Sequence, residues 1–114
     1  MTRLRYMIAL FVLSVCPANA DSRLAGLLEE NLSLPITLSD GSQVRLESMV
    51  VRPDRPGRLP LVVLVHGTPR AVGDALGAAI AQQSPADLLG PAVAFAQHGY
   101  AAVSIMRRGF GRSE

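Results

Sequence analysis

The sequence predicts an α/β fold on three observations. Two extended runs flank Asp40-Gly41, a continuous apolar run covers Leu61-Val62-Val63-Leu64-Val65, and a helix ending at His98-Gly99 leads into a second apolar run. Hairpin, buried strand, helix and buried strand in that order make an antiparallel hairpin followed by parallel strands with a crossover helix.

The elements follow in order. Met1 to Ala20 reads as a leader: Arg3 and Arg5 are followed by an apolar core from Met7 to Val15 and an A-x-A site at Ala18-Asn19-Ala20. The apolar core is short of the roughly 20 residues needed to span a bilayer, so no stable membrane span is expected once the leader is removed. Cleavage is expected after Ala20, with a secreted or periplasmic product. Leu13-Ser14-Val15-Cys16 resembles a lipobox, but bulky Val15 stands where a small residue is usual, so lipidation at Cys16 is the lesser expectation. Residues 21–31, with Leu24, Leu27 and Leu28 at helical spacing, read as an N-terminal arm or a short helix, and residues 32–114 as the domain.

Leu32–Leu38 and Gln43–Val51 read as the hairpin strands, because Asp-Gly between extended runs favours a tight turn. In the second strand Val44, Leu46 and Val50 share one face, broken by Ser48, and Arg45, Glu47 and Met49 share the other, as in a half-exposed antiparallel strand. Three prolines and a glycine make Arg52–Pro60 a loop. The unbroken apolar run Leu61–Val65 predicts a strand covered on both faces. Residues 70–83 are rich in Ala and Gly and fit a short helix. Ser84-Pro85 and Gly90-Pro91 are two helix starts, and Gly99 is placed to cap the helix in the left-handed region. Tyr100–Ile105 is the last strand, and in so small a unit its edge is expected to lie unpaired, which invites aggregation.

Composition narrows the function. The chain has 114 residues, 49% hydrophobic and 18% charged, which excludes a disordered chain. Aromatics are 4% with no Trp, so no nucleic-acid partner is expected. The basic residues number 11, all Arg; with Arg3 and Arg5 in the leader, the rest balance the nine acidic residues. One cysteine excludes an internal disulfide and multi-cysteine metal sites. Asn31-Leu32-Ser33 matches a glycosylation sequon that short motifs produce by chance.

Two motifs carry chemistry. The first is His66-Gly67-Thr68-Pro69 at the end of the first apolar strand. The second runs from Phe95-Ala96-Gln97-His98-Gly99-Tyr100 through the next strand to Arg107-Arg108-Gly109-Phe110-Gly111-Arg112-Ser113-Glu114. The pair resembles the N-terminal portion of an α/β-hydrolase domain of the dienelactone hydrolase and acyl-peptidase-like serine hydrolase branch, over Leu32 to Glu114. That resemblance implies hydrolysis of an ester, lactone or peptide bond by a Ser-His-Asp triad, a small-molecule or peptide substrate and no cofactor. It also implies that the nucleophile elbow, acid and base lie beyond this sequence, so the chain is expected to be inactive as it stands.

In such sites one oxyanion donor comes from the loop after the third strand. Pro69 has no N–H and Gly67 eases the turn, which leaves the Thr68 backbone N–H as the candidate. The resemblance casts His66 as a support of this loop and not as the base. It casts Arg108, Gly109, Gly111 and Ser113 as a structural loop, with the serine often capping a helix. Where the family often has Asp two residues before the arginine, this chain has Met106, which removes the ion pair expected there. Gly109-Phe110-Gly111 lacks the third glycine of a dinucleotide loop, and Ser113 stands too far from Ile105 to be an elbow serine. Two rivals stand beside this reading: a non-enzymatic secreted binding or structural module, and an Asp-nucleophile hydrolase of the same fold, such as an epoxide hydrolase or dehalogenase.

Overall fold

The computed structural model describes residues 24–114. The leader, its cleavage after Ala20 and Cys16 lie outside the described residues. The strands β1 (Leu27–Thr37), β2 (Gln43–Pro53), β3 (Leu61–Val65) and β4 (Ala101–Ile105) form one mixed sheet in the order β1-β2-β4-β3. Helices α1 (Asp74–Gln82) and α2 (Leu89–Gln97) lie on the connection from β3 to β4. The arrangement is α/β. No helix among the described residues is long and apolar enough to cross a membrane.

β1 and β2 pair antiparallel from Leu27↔Pro53 to Thr37↔Gln43. Their turn closes with Gly41 N–H on the Leu38 carbonyl and Leu38 N–H on that of Ser42, with Gly41 at φ +83°. This is the three-residue turn with a left-handed glycine that Asp-Gly favours. Ser42 donates its N–H (2.9 Å) and hydroxyl (2.6 Å) to Asp40 Oδ1. Chiefly the hydroxyl bond, then the amide bond, holds the Asp40 carboxyl below its usual range. The tie is complete above the ordinary aspartate range and is lost as pH falls through the lowered value.

Five expectations are corrected. Residues 27–31 are strand and not arm or helix: the ladder to Met49–Pro53 outweighs the helical spacing, and Leu24 and Leu27 pack on the core. β2 likewise runs on to Pro53, into the expected loop. Its apolar assignment also changes faces. Met49 and Val51 join Ala92, Val93, Ala96 and Ala102 in the core beneath α2, because alternation identifies two faces and not which one a helix covers.

The fourth and fifth corrections concern the last two strands. β4 has no free edge: it pairs antiparallel with β2 and parallel with β3, so Val50, Val103 and Val63 stand side by side across three strands. The edge strands are β3 and, on the other side, β1. Val62 and Leu64 pack towards the core, whereas Leu61, Val63 and Val65 are 63%, 50% and 69% exposed, so this strand is not covered on both faces. Its apolar run matches a central strand, and among the described residues it has a strand neighbour on one side only.

The crossover ends as its residues dictate. Ser84 N–H donates to the Asp87 carboxylate (3.0 Å) at the start of a 3₁₀ turn, Pro85–Leu88, which runs straight into α2. Both helix starts are thus used, the first for the short turn and the second near the head of α2. Gly99 closes α2 at φ +90°, with its N–H on Ala96 O and that of Tyr100 on Phe95 O. His98 Nδ1 meets Ala94 O at 2.8 Å, a structural contact in the last turn.

The exposed β3 edge generates a prediction. Val63→Lys places a charge on the open apolar strand and should raise the monomer fraction in sedimentation or size-exclusion runs. An unchanged association state would show that β3 is not the adhesive edge.

Candidate functional site

The register Val65↔Ile105 brings the residues that follow each strand side by side. The carboxyl end of a parallel pair in an α/β sheet is where ligands collect. Here it gathers His66, Gly67 and Thr68 from the β3 loop and Arg107 and Phe110 from the β4 loop.

His66 ties the two loops together. Its Nε2 accepts the Arg107 backbone N–H at 3.1 Å, and its Nδ1 meets the Gly67 carbonyl at 2.8 Å. A carbonyl only accepts, so Nδ1 carries the proton and the ring is the neutral Nδ1–H tautomer. Both nitrogens are occupied, and the ring packs on Phe110 with centroids 4.7 Å apart.

The Gly67–Thr68 peptide is thereby oriented. Its carbonyl faces His66 Nδ1, and Gln83 Nε2 approaches the same oxygen at 3.4 Å. The peptide is trans, so Thr68 N–H points the opposite way, and no backbone carbonyl among the described residues accepts it. The Thr68 hydroxyl is engaged separately, accepting from Arg107 Nη2 at 2.8 Å.

The expected structural loop closes against β2. Ser113 is buried; its hydroxyl accepts Glu47 N–H at 2.9 Å and lies 3.2 Å from Met106 O, to which it donates. It therefore clamps a strand in place of capping a helix, since the N–H it satisfies belongs to β2. Gly109 N–H reaches Ser113 O at 3.3 Å, and Glu114 N–H reaches Arg45 O at 2.9 Å. Arg108 is exposed at the turn and adds a minor electrostatic pull on Asp40.

Met106 is apolar and fully buried, and the ion pair near it joins Glu47 and Arg112. Glu47 accepts from Arg112 three times: from the backbone N–H (2.9 Å), Nε (3.1 Å) and Nη2 (2.9 Å). Its side chain is 14% exposed against 88% for that of Arg112, so the carboxylate is the shielded partner of the pair.

Sequence reasoning missed Glu47, Gln83 and the pairing of Arg107 with Thr68. A carboxylate within a strand was the only available signal, and it pointed to a solvated face. Gln83 gives no signal in sequence, because its place beside Gly67 depends on how the crossover folds back.

No family model and no curated protein matches the chain. Among solved structures it is similar to an alpha-amino acid ester hydrolase labelled with selenomethionine, at 20% identity and a TM-score of 0.45. The match takes in 96% of this chain and 17% of that enzyme.

Gly111 supplies the test of the loop. It sits at φ +56° with its N–H on Ile80 O (3.1 Å), and a Cβ there would press on the Gln83 carbonyl and lie 2.7 Å from Glu47 Oε2. Gly109, at φ +78°, has open space around it. Gly111→Ala should cost about 2–5 kcal/mol, backbone strain plus collision, and Gly109→Ala about 1–2 kcal/mol from strain alone. Urea melts decide, and equal losses would contradict this packing.

Proposed function

We propose that the chain is the N-terminal portion of a secreted serine hydrolase of the α/β-hydrolase type, acting on ester, lactone or peptide bonds. In this reading it contributes the oxyanion loop, and the nucleophile, acid and base come from residues beyond Glu114. The observation that carries the reading is the orientation of one peptide. At the carboxyl end of β3, the Gly67 carbonyl is turned onto His66 and the Thr68 N–H away from it, without a backbone acceptor among the described residues.

Acyl transfer needs such a donor. As the carbonyl carbon becomes tetrahedral its oxygen takes negative charge, and an N–H already aimed there stabilises it without reorganisation. Thr68 N–H is one donor, and the N–H of the residue after the nucleophile is the second. His66 is a positioning residue: with Nε2 on Arg107 N–H and Nδ1–H on the loop carbonyl, it has no nitrogen left to take a proton from a nucleophile. Export by the Met1–Ala20 leader is part of the proposal, and N-terminal sequencing of the exported protein should begin at Asp21.

The test is made in the full-length enzyme, whose coding sequence past Glu114 should carry G-x-S-x-G. Thr68→Pro removes the N–H and should lower turnover roughly 10²- to 10³-fold. Thr68→Ala keeps the N–H, loses only the hydroxyl and should lower it by less than about 10-fold. Because proline also restricts Gly67, both variants must melt close to wild type. A damaging alanine and a harmless proline would overturn the assignment, and an aspartate in the elbow would overturn the serine mechanism.

A further inference from the structure

The Arg107 guanidinium is held on two sides and has no acidic partner among the described residues. Nη2 donates to Thr68 Oγ1 at 2.8 Å, and the guanidinium carbon lies 4.4 Å from the centroid of Phe110, whose ring is fixed against His66. The ion pairs among the described residues are Arg52–Glu30 and Arg112–Glu47, so no described carboxylate neutralises Arg107. Its side chain is exposed at the mouth of the site. A surface arginine with no such restraints would swing freely, and ordering it would oppose any pairing. Here hydroxyl and ring have already restricted it, and most of its N–H donors remain free to form the fork that matches a carboxylate or phosphate.

We propose that Arg107 and Thr68 form a subsite for an anionic group on the ligand, a carboxylate or a phosphate carried by a small ester. The subsite lies on the same residue whose N–H is the oxyanion donor, so it would favour anionic substrates over their neutral analogues. Its catalytic meaning rests on the hydrolase reading. Its binding does not.

The test therefore reads binding and not turnover. The chain, labelled with ¹⁵N, is titrated with monomethyl succinate, neutral dimethyl succinate and inorganic phosphate, following the Arg107 Nε–H and Thr68 N–H resonances. The monoester should shift both, and the diester neither. Phosphate distinguishes the two anions: a tighter midpoint than the monoester assigns the subsite to phosphate, and a weaker one to carboxylate. Arg107→Gln should weaken binding of the preferred anion about tenfold. Arg58→Gln, which removes the same charge at the far end of β3, should leave it unchanged. Arg107→Lys keeps the charge, loses the fork and should fall between wild type and Arg107→Gln, which holds the comparison if the glutamine variant unfolds.

Equal shifts from monoester and diester would overturn the proposal. So would equal weakening by Arg58→Gln and Arg107→Gln, or the absence of any shift with either anion. A chain that binds the anion, while the full-length enzyme cleaves no ester, would leave the subsite standing and remove the hydrolase reading.

Discussion

The parallel pairing of β3 with β4 is the constraint on which the rest of the molecule depends. Parallel neighbours cannot be joined by a tight turn, so the chain must cross over between them, and the crossover here carries α1, the 3₁₀ turn and α2. Because both strands run the same way, their carboxyl ends coincide. The register Val65↔Ile105 then puts His66 within reach of Arg107, 41 residues later, and one imidazole joins the two loops. Shifting that register by one residue would turn Val62 and Leu64 away from the core and separate the loops together.

A second set of ties makes the β4 loop rigid. Backbone groups of β2 and of the loop are satisfied by side chains of the other: Ser113 serves Glu47, and Glu47 serves Arg112. Gly111 passes so close to Gln83 and Glu47 that a side chain has no room. Gln83 in turn reaches Gly67, so the turn that closes the sheet and the loop that presents Thr68 share neighbours. A backbone polar group left unpaired in this packed corner would cost about 1–3 kcal/mol, which explains why small and polar residues occupy it.

The apolar content of the sheet is greater than its own helices cover. α2 covers Met49, Val51 and Ala102, whereas Leu61, Val63 and Val65 stand exposed on β3. The sequence of β3 is that of a strand with protein on both sides.

Much of the local structure was legible in the sequence because it depends on near neighbours. Asp40-Gly41 determined the hairpin turn, Ser84-Pro85 the start of the 3₁₀ turn and Gly99 the end of α2, each through dihedral preferences and hydrogen bonds spanning a few residues. The motif His66-Gly67-Thr68-Pro69 likewise marked its loop, since proline and glycine limit what the backbone can donate. Tertiary structure alone decided the position of β4 between β2 and β3, the face of β2 that meets α2, the strand character of residues 27–31, and the meeting of Arg107 with Thr68. The physical reason is the same in each case. Periodicity states that a strand has two faces and two edges, and only long-range pairing settles what each of them meets.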